Sequence, residues 1–460
     1  MKIISLIAAF TLMALPMQAQ QETAQPADAT AELTAKAESG DAEAMRQLYS
    51  QYAVDGNTEQ AQAWASRYEQ QLTSQAEAGD TKAMMLLATG YLSGRDYMPQ
   101  DSGKAVPWLV RAAEAGMPSA AYILGEIFTQ MNNSAEAARF YKQAYDTYAT
   151  LTAKLSEPPT DEQRKALYWQ GYMTLMGLGT EQNTSEGIAL LRAADIDWAW
   201  AQLYKCYVKG IGVEKDIAKG ISYARRLADE AGDSLMAWVV GSAYLKGEGV
   251  AKNEALGRKY LQMADDANIA QAVHLNGTLL LAEGKVKEAW SRFNRAASMG
   301  LPESMTAAAR IMMTGADGVE QDVARALNML NTASDRYNDP RAPWELGQYY
   351  DSVDEPELAN AQYKIASDRG VIEAMARRGL LHITPNSGVS WSPTQMYRWW
   401  RTGSEAGDPT CTLYLNLFLF GFIPLVLILA FGVPILVVHH LNKKARQQEE
   451  AEAGQADTDK

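Results

Sequence analysis

A short phrase recurs along this chain, and its spacing constrains the fold more than any other feature of the sequence. It stands as Ala76-Glu-Ala-Gly-Asp80, Ala113-Glu-Ala-Gly-Met117, Asp229-Glu-Ala-Gly-Asp233, Ala297-Ser-Met-Gly-Leu301 and Ser404-Glu-Ala-Gly-Asp408. Its turn position marks Gly40, Gly79, Gly116, Thr160, Asp195, Gly232, Asn268, Gly300, Asn338, Gly370 and Gly407. The intervals are 39, 37, 44, 35, 37, 36, 32, 38, 32 and 37 residues. Self-similarity at such a period is the mark of a stacked array, in which each unit buries its apolar face on its neighbours.

Each phrase is followed by a helical pattern, as in Ala83-Met-Met-Leu-Leu-Ala-Thr-Gly-Tyr91, then by a glycine-rich turn such as Lys209-Gly-Ile-Gly-Val213 or Lys246-Gly-Glu-Gly-Val250. A second amphipathic helix completes the unit, as in Lys104-Ala-Val-Pro-Trp-Leu-Val-Arg-Ala-Ala113. In the first helix, small or apolar residues share one face: Ala83, Leu87, Ala88 and Tyr91, or Ala120, Leu124, Gly125 and Phe128. That stripe is wide enough to pack on a partner helix, and the glycine after the helix supplies the left-handed residue that stops it. One hairpin cannot bury its own stripe. The expected fold is therefore all-α, a right-handed α-solenoid of helix hairpins over residues 31–408. The 44-residue interval absorbs an insertion around Ser156-Glu-Pro-Pro159, and the two 32-residue units lack the Gly-x-Gly turn and shrink toward plain hairpins.

These residues resemble the Sel-1-like repeat family, relatives of the tetratricopeptide repeat. The family's unit runs A-x-x-x-L-G-x-x-Y-x-x-G-x-G-V-x-x-D-x-x-K-A-x-x-W-x-x-A-A-E-x-G. Asp216 and Lys219 after Gly210-Ile-Gly-Val213 follow it, as do Trp108 and Trp399, and Gly315-Ala-Asp-Gly-Val319 with Asp322 is the same turn one residue longer. The resemblance covers about Ala31 to Asp408 and implies roughly ten hairpins with a concave face lined by the first helix of each. The chain departs from the cysteine-rich secreted members, which staple each repeat. The resemblance implies an adaptor, since family members serve in polysaccharide export, flagellar motors and envelope signalling. The eukaryotic endoplasmic-reticulum adaptor of protein degradation shares the layout.

Composition narrows the rest. With 460 residues, 47% apolar and 21% charged, the chain is neither mainly disordered nor a polytopic membrane protein. A net charge of −13 argues against a nucleic-acid surface, which needs clustered Lys and Arg. Two cysteines and four histidines leave little for a disulfide scaffold or a metal site, and no cofactor is expected.

The two ends set the expected location. Met1-Lys2, an apolar run from Ile3 to Leu15 and Pro16-Met17-Gln18-Ala19 have the parts of a signal peptide, residues 1–19, followed by a linker over 20–30. Leu413 to Val438 is 26 residues without a charge, followed by Lys443, Lys444 and Arg446. The reading is a transmembrane helix over 409–438 and a cytoplasmic tail over 439–460, with the repeats in the periplasm of a bacterium, anchored once in the inner membrane. Gly407-Asp-Pro-Thr-Cys411 has the spacing that opens a first helix, with Asp408 suited to cap and Pro409 to the first turn. Cys411, Leu415, Asn416 and Leu419 then fall where a stacking stripe belongs, so the membrane helix is expected to begin as the first helix of an unfinished repeat that caps the array.

No nucleophile–base constellation is legible. Cys206 reads as packed and Cys411 lies at the membrane boundary. The Gly-x-Gly turns follow helices and recur at the repeat period, so they are inter-helix turns and not nucleotide loops. What remains is the concave surface, whose candidate binding residues are Lys165, Tyr168, Tyr172, Trp198, Lys205, Trp238, His274, Trp344 and Gln348. Aromatic anchors on an open face are typical of binding. Packing between repeats is the competing role for Tyr168, Trp238 and Trp344. The expectation is a non-enzymatic, membrane-anchored scaffold that binds a protein or an envelope-polymer assembly. A regulator acting on a sensor kinase or channel through its membrane helix, with Asn416 as a contact, is the alternative; an envelope hydrolase lacks a site.

Overall fold

The structure is a computed structural model that describes residues 27–94, 98–383, 388–427, 436–441 and 443–444. Among them the named elements are helical, and the one bridge, between Ala316 and Val319, is isolated. The helices fall into two compact units, one up to Glu254 and one from Ala255.

In the first unit, helices α1 (Ala27–Glu38), α2 (Ala42–Val54), α3 (Thr58–Glu77), α4 (Thr81–Ser93), α5 (Ser102–Glu114), α6 (Pro118–Gln130) and α7 (Ser134–Thr152) lead to α8 (Asp161–Met176), α9 (Thr184–Ala194), α10 (Asp197–Lys209), α11 (Ile217–Glu230) and α12 (Ser234–Lys246). From α2 to α11 they pair as hairpins, and the second helix of each packs on the first helix of the next. The recurring phrase explains the joints. In Ala76-Glu-Ala-Gly-Asp80, Gly79 takes φ +98° and Asp80 accepts hydrogen bonds from Lys82 N and Ala83 N, so one residue ends a helix and the next caps its successor. Where the marker is Asp195, φ is +46°; it is +58° at Asn268 and +61° at Asn338, side chains that tolerate the left-handed region. Thr160 differs from its expected place. It is extended and forms a capping box with Gln163, so it opens α8 after the insertion and does not close a helix. The expected stripes are inside: Ala83, Leu87, Ala88, Tyr91, Ala120 and Leu124 are buried in one cluster that runs from Ala37 to Tyr207.

The second unit holds α13 (Glu254–Asp266), α14 (Ala270–Ala282), α15 (Val286–Ser298), α16 (Pro302–Thr314), α17 (Val323–Tyr337), α18 (Arg341–Ser352), α19 (Pro356–Asp368), α20 (Ile372–Leu381), α21 (Pro393–Glu405) and α22 (Pro409–Leu417). Here too α14–α15, α16–α17, α18–α19 and α20–α21 are hairpins. Two kinds of connection occur within the hairpins. Three of the long ones, 210–216, 247–253 and 315–322, carry a second glycine that lies against the start of the preceding second helix: a Cβ on Gly212 would be 2.8 Å from Thr184 Cβ, and one on Gly318 2.7 Å from Lys287 Cδ. Short ones, such as 131–133, 283–285 and 353–355, have no such loop. Two of these, 283–285 and 353–355, belong to the 32-residue units.

The last hairpin is sealed by α22. Asp408 Oδ1 accepts from Cys411 N at 2.5 Å, Pro409 fills the first turn, and Ser404 Oγ lies 2.8 Å from Thr412 Oγ1. Cys411 is fully buried against Gly403, where any Cβ would collide with its sulfur. The Trp400 ring covers Gly379 and meets Tyr414 at 5.5 Å and Phe418 at 5.8 Å. The packed stripe is thus Cys411, Tyr414, Leu415, Phe418 and Leu419. Asn416 is off it and exposed, because five residues after Cys411 the helix has turned away from the core. A π-helical turn, Phe418–Phe422, and α23 (Ile423–Leu427) continue the chain, with Leu417 58% and Phe420 78% exposed. Among the described residues no helix is long and apolar enough to cross a membrane. Residues 428–435 of the expected span, the expected signal peptide and most of the tail lie outside the described residues.

Candidate partner-binding surface

Aligning the first helices on their small stripe residue places a second set of side chains in register. Two positions after Ala120, Ala166 and Ala272 stand Tyr122, Tyr168 and His274, and Trp344 follows Ala342 in the same way. One helical turn further stand Glu126, Tyr172 and Gln348. In these four hairpins the spacing is that of one face of a helix, on which Tyr122 and Tyr168 are buried and Glu126, Tyr172, His274 and Trp344 are half-buried.

In the first unit these rows form an aromatic cluster on α6, α7, α8 and α10. Tyr122 lies 4.9 Å from Trp169 and 5.7 Å from Tyr141, centroid to centroid. Trp169 meets Tyr148 at 6.2 Å and Tyr172 at 6.1 Å. Tyr168 stacks with Tyr172 at 6.3 Å and meets Trp198 edge-on at 5.7 Å. Lys165 Nζ sits 5.7 Å from the centre of the Trp198 ring, within cation–π reach. The Glu126 carboxylate gathers the phenols: Tyr141 Oη donates to Glu126 Oε1 at 2.5 Å, and Tyr122 bonds the same group. Burial, helped by that carboxylate, pushes the hydroxyls of Tyr122, Tyr141 and Tyr172 above the ordinary phenol range, so all three remain donors.

The sequence reading put Lys165, Tyr168 and Tyr172 on one unit and Trp198 and Lys205 on the next; in the structure the first four of these lie in one cluster. Tyr168 is a correction. At 7% exposure, wedged among Trp169, Tyr172 and Trp198, it packs the repeats and offers no open face. Tyr172 and Trp198 are half-buried and Lys165 is exposed, so these three carry the accessible part. Lys205 is exposed on α10 and Trp238 is half-buried on α12. Tyr122 and Glu126 were not among the sequence candidates. Their register with Tyr168 and Tyr172 was the available signal.

In the second unit, His274 Nδ1 lies 2.8 Å from Ser304 Oγ, and its ring is 5.3 Å from Phe293. Ser304 is fully buried, so the pair ties α14 to α16 and presents no nucleophile. Burial holds the imidazole below its ordinary pKa, against the opposing charge of Glu303. Trp344 leans on Tyr363 at 5.3 Å, leaving one side half-exposed beside the exposed Gln348. Between them Glu345, which the sequence reading passed over, has its carboxyl raised by burial despite Arg310 and Arg341 nearby. Chemically, the first unit offers half-open aromatic rings with an ammonium at the edge, suited to apolar and carboxylate-bearing peptide side chains. The second offers a more ionic strip.

Comparison with known proteins fits this architecture. A family model, the Sel1 repeat, matches residues 81–117, 164–194, 198–231, 235–268 and 302–338, each a segment whose two helices are joined by a long connection. The chain is similar to the crystal structure of c5321, a protective antigen present in uropathogenic Escherichia coli strains displaying an SLR fold, with 24% identity and a TM-score of 0.56 over 85% of this chain and 83% of that one. A looser likeness, at 20% identity and a TM-score of 0.44, covers 74% of this chain and 99% of a Sel1 repeat protein from Oxalobacter formigenes. Sel1 repeats thus account for five segments of an all-α chain of stacked hairpins.

Proposed function

We propose that this protein is a non-enzymatic scaffold that holds a protein or envelope-polymer assembly on the first-helix face of its repeats. The observation that carries this is the half-open cluster of Lys165, Tyr172 and Trp198, built on helices whose other faces are consumed by stacking. Repeats of this kind are generally protein-interaction scaffolds, which supports the reading. The test is crosslinking in intact cells followed by purification under denaturing conditions, comparing the native chain with Trp198→Ala and with Lys165→Glu. Loss of a defined partner by roughly tenfold or more, the scale of one interface anchor, is expected. Unchanged capture by both variants, with native helix content, overturns it.

The scaffold sits, in this reading, in a bacterial inner membrane, with its repeats in the periplasm and its C-terminus in the cytoplasm. Support comes from the uncharged run Leu413–Val438 and from Leu413, Leu417 and Phe420, which stay exposed along the apolar helix that seals the array. Resistance of the chain to alkaline extraction, with repeats digested by protease only in opened cells, is the check. A regulatory role through a second membrane helix has one observation in its favour: the Asn416 amide lies exposed beside Leu413 and Leu417. Exchanging 413–438 for an unrelated span separates the two, since a tether keeps working and a helix-pairing regulator fails.

A further inference from the structure

Helix α22 runs back along α21, and the register of the pair fixes where the apolar chain leaves the array. Gly403 meets the Cys411 sulfur, Ser404 Oγ lies 2.8 Å from Thr412 Oγ1, and the Trp400 ring faces Tyr414 and Phe418. Carried on in this antiparallel register, the chain draws level with Pro393, the first residue of α21, between about residues 421 and 425. That level is the edge at which α20 and α21 are joined. As a helix, the whole uncharged run 413–438 would measure about 39 Å, more than the roughly 30 Å hydrocarbon layer. The part beyond this edge, 421–438, would measure about 27 Å, which matches that layer.

The connection at this edge differs from the other long connections within hairpins. Those carry carboxylates, Asp101, Glu181, Glu214, Glu248 and Glu320 among them, whereas residues 379–397 contain no Asp, Glu, Lys or Arg. It is also tied down. Val389 packs on the core of α19 and α20, Gly388 lies against Glu357 at the start of α19, and His382 Nδ1 donates to Ser390 O at 2.9 Å. Yet Ile383 is 50% and Trp391 63% exposed, on the edge where Phe420 passes out of the array. An indole in uncharged surroundings suits the boundary between water and lipid, where its apolar ring and its N–H are both satisfied. The exposed Arg398 stands about 8 Å back along α21, the depth of a headgroup layer.

We propose that this edge of the last hairpin rests on the lipid bilayer itself, with Ile383 and Trp391 set into the headgroup layer beside the apolar helix. The inference rests on the reading that the run 413–438 crosses a membrane, and adds a lateral contact to it. Two attachments, one through the bilayer and one on its surface, hold the last hairpin at a fixed angle to the membrane.

The full chain, inserted into preformed vesicles of phosphatidylcholine, provides the test. Cys206 and Cys411 are buried, so a fluorescent thiol reagent on the folded Trp391→Cys or Ile383→Cys chain reports the new position, with the native chain as the blank. Both positions are exposed, so neither substitution opens the core. Glu405→Cys, at the far end of α21 and about 18 Å away, is the reference. Labels at 383 and 391 are expected to be quenched by lipids brominated in the upper acyl chain and to lose quenching by iodide, with the reverse at 405. Labels at 383 and 391 that stay open to iodide and untouched by brominated lipid, in chains that resist alkaline extraction, overturn this contact and leave the membrane span standing. Chains that alkali releases from the vesicles overturn both.

Discussion

Hairpin α8–α9 is expected to break at Gly171, and the size of the effect follows from what stands opposite. A Cβ there would lie 2.9 Å from Leu190 Cβ, 2.9 Å from Leu191 N and 3.0 Å from Gly187 O. From the other side, a Cβ on Gly187 would lie 2.7 Å from Leu175 N. The two helices touch backbone to backbone, so neither can yield by changing a rotamer. Gly171→Ala gains about 1 kcal/mol of helix propensity. It loses roughly 3 kcal/mol, the upper end of overpacking costs, because the helices must separate along their length. The net is a loss of about 2 kcal/mol, or a fall of about 4–8 °C in melting temperature for a unit of this size. Gly220→Ala is the internal control. Its closest neighbour is the Val208 Cγ2 methyl at 2.7 Å, with backbone no nearer than 3.6 Å, so a rotamer change relieves it and the expected cost stays within about 1 kcal/mol. Urea unfolding of both variants measures the difference. If Gly171→Ala is as stable as the native chain, or costs no more than Gly220→Ala, the backbone contact does not hold this hairpin together. The consequence reaches the surface, because α8 carries Lys165 and Tyr172.

Three further outcomes follow from single groups. Burial depresses the His274 pKa, so the folded chain binds its proton less readily than the unfolded one; stability is full above about pH 6.5 and falls as pH drops through that value, and His274→Gln flattens this part of a pH–stability curve. Asp265→Ala removes the buried carboxylate between Asn276, Arg292 and Arg295 and costs about 3 kcal/mol in urea unfolding. Trp400→Ala removes the ring that meets Tyr414 and Phe418 and costs about 3–5 kcal/mol, read as earlier hydrogen exchange in α22 than in α20.

The fold was legible because the same physical problem is solved in every repeat. A chain that must stop one helix and start the next within three residues has few options, and Gly79-Asp80 and Gly407-Asp408 use the same one. The interval lengths also carried meaning: the 32-residue units do lack the loop. Thr160 misled because a marker chosen by counting spacing cannot tell a residue that ends a helix from one that caps the next. The proline-containing insertion before it moves the turn upstream.

Surface roles were less legible, and the reason is geometric. Tyr168 and Tyr172 lie one turn apart on the same face, yet one is buried and the other half-open. The difference is Trp198, which arrives from the next hairpin and lies edge-on against Tyr168. Periodicity fixes which way a side chain leaves its own helix, but exposure depends on what the neighbouring repeat brings to the same place. The same holds for Asn416, which the stripe of α22 left outside once Phe418 had taken the place beside Trp400. A repeat sequence therefore specifies its stacking face from within each unit and its binding face only through pairs of adjacent units. For that reason the substitutions expected to test the proposed scaffold role most sharply are those, like Trp198→Ala, that alter a residue shared between two repeats.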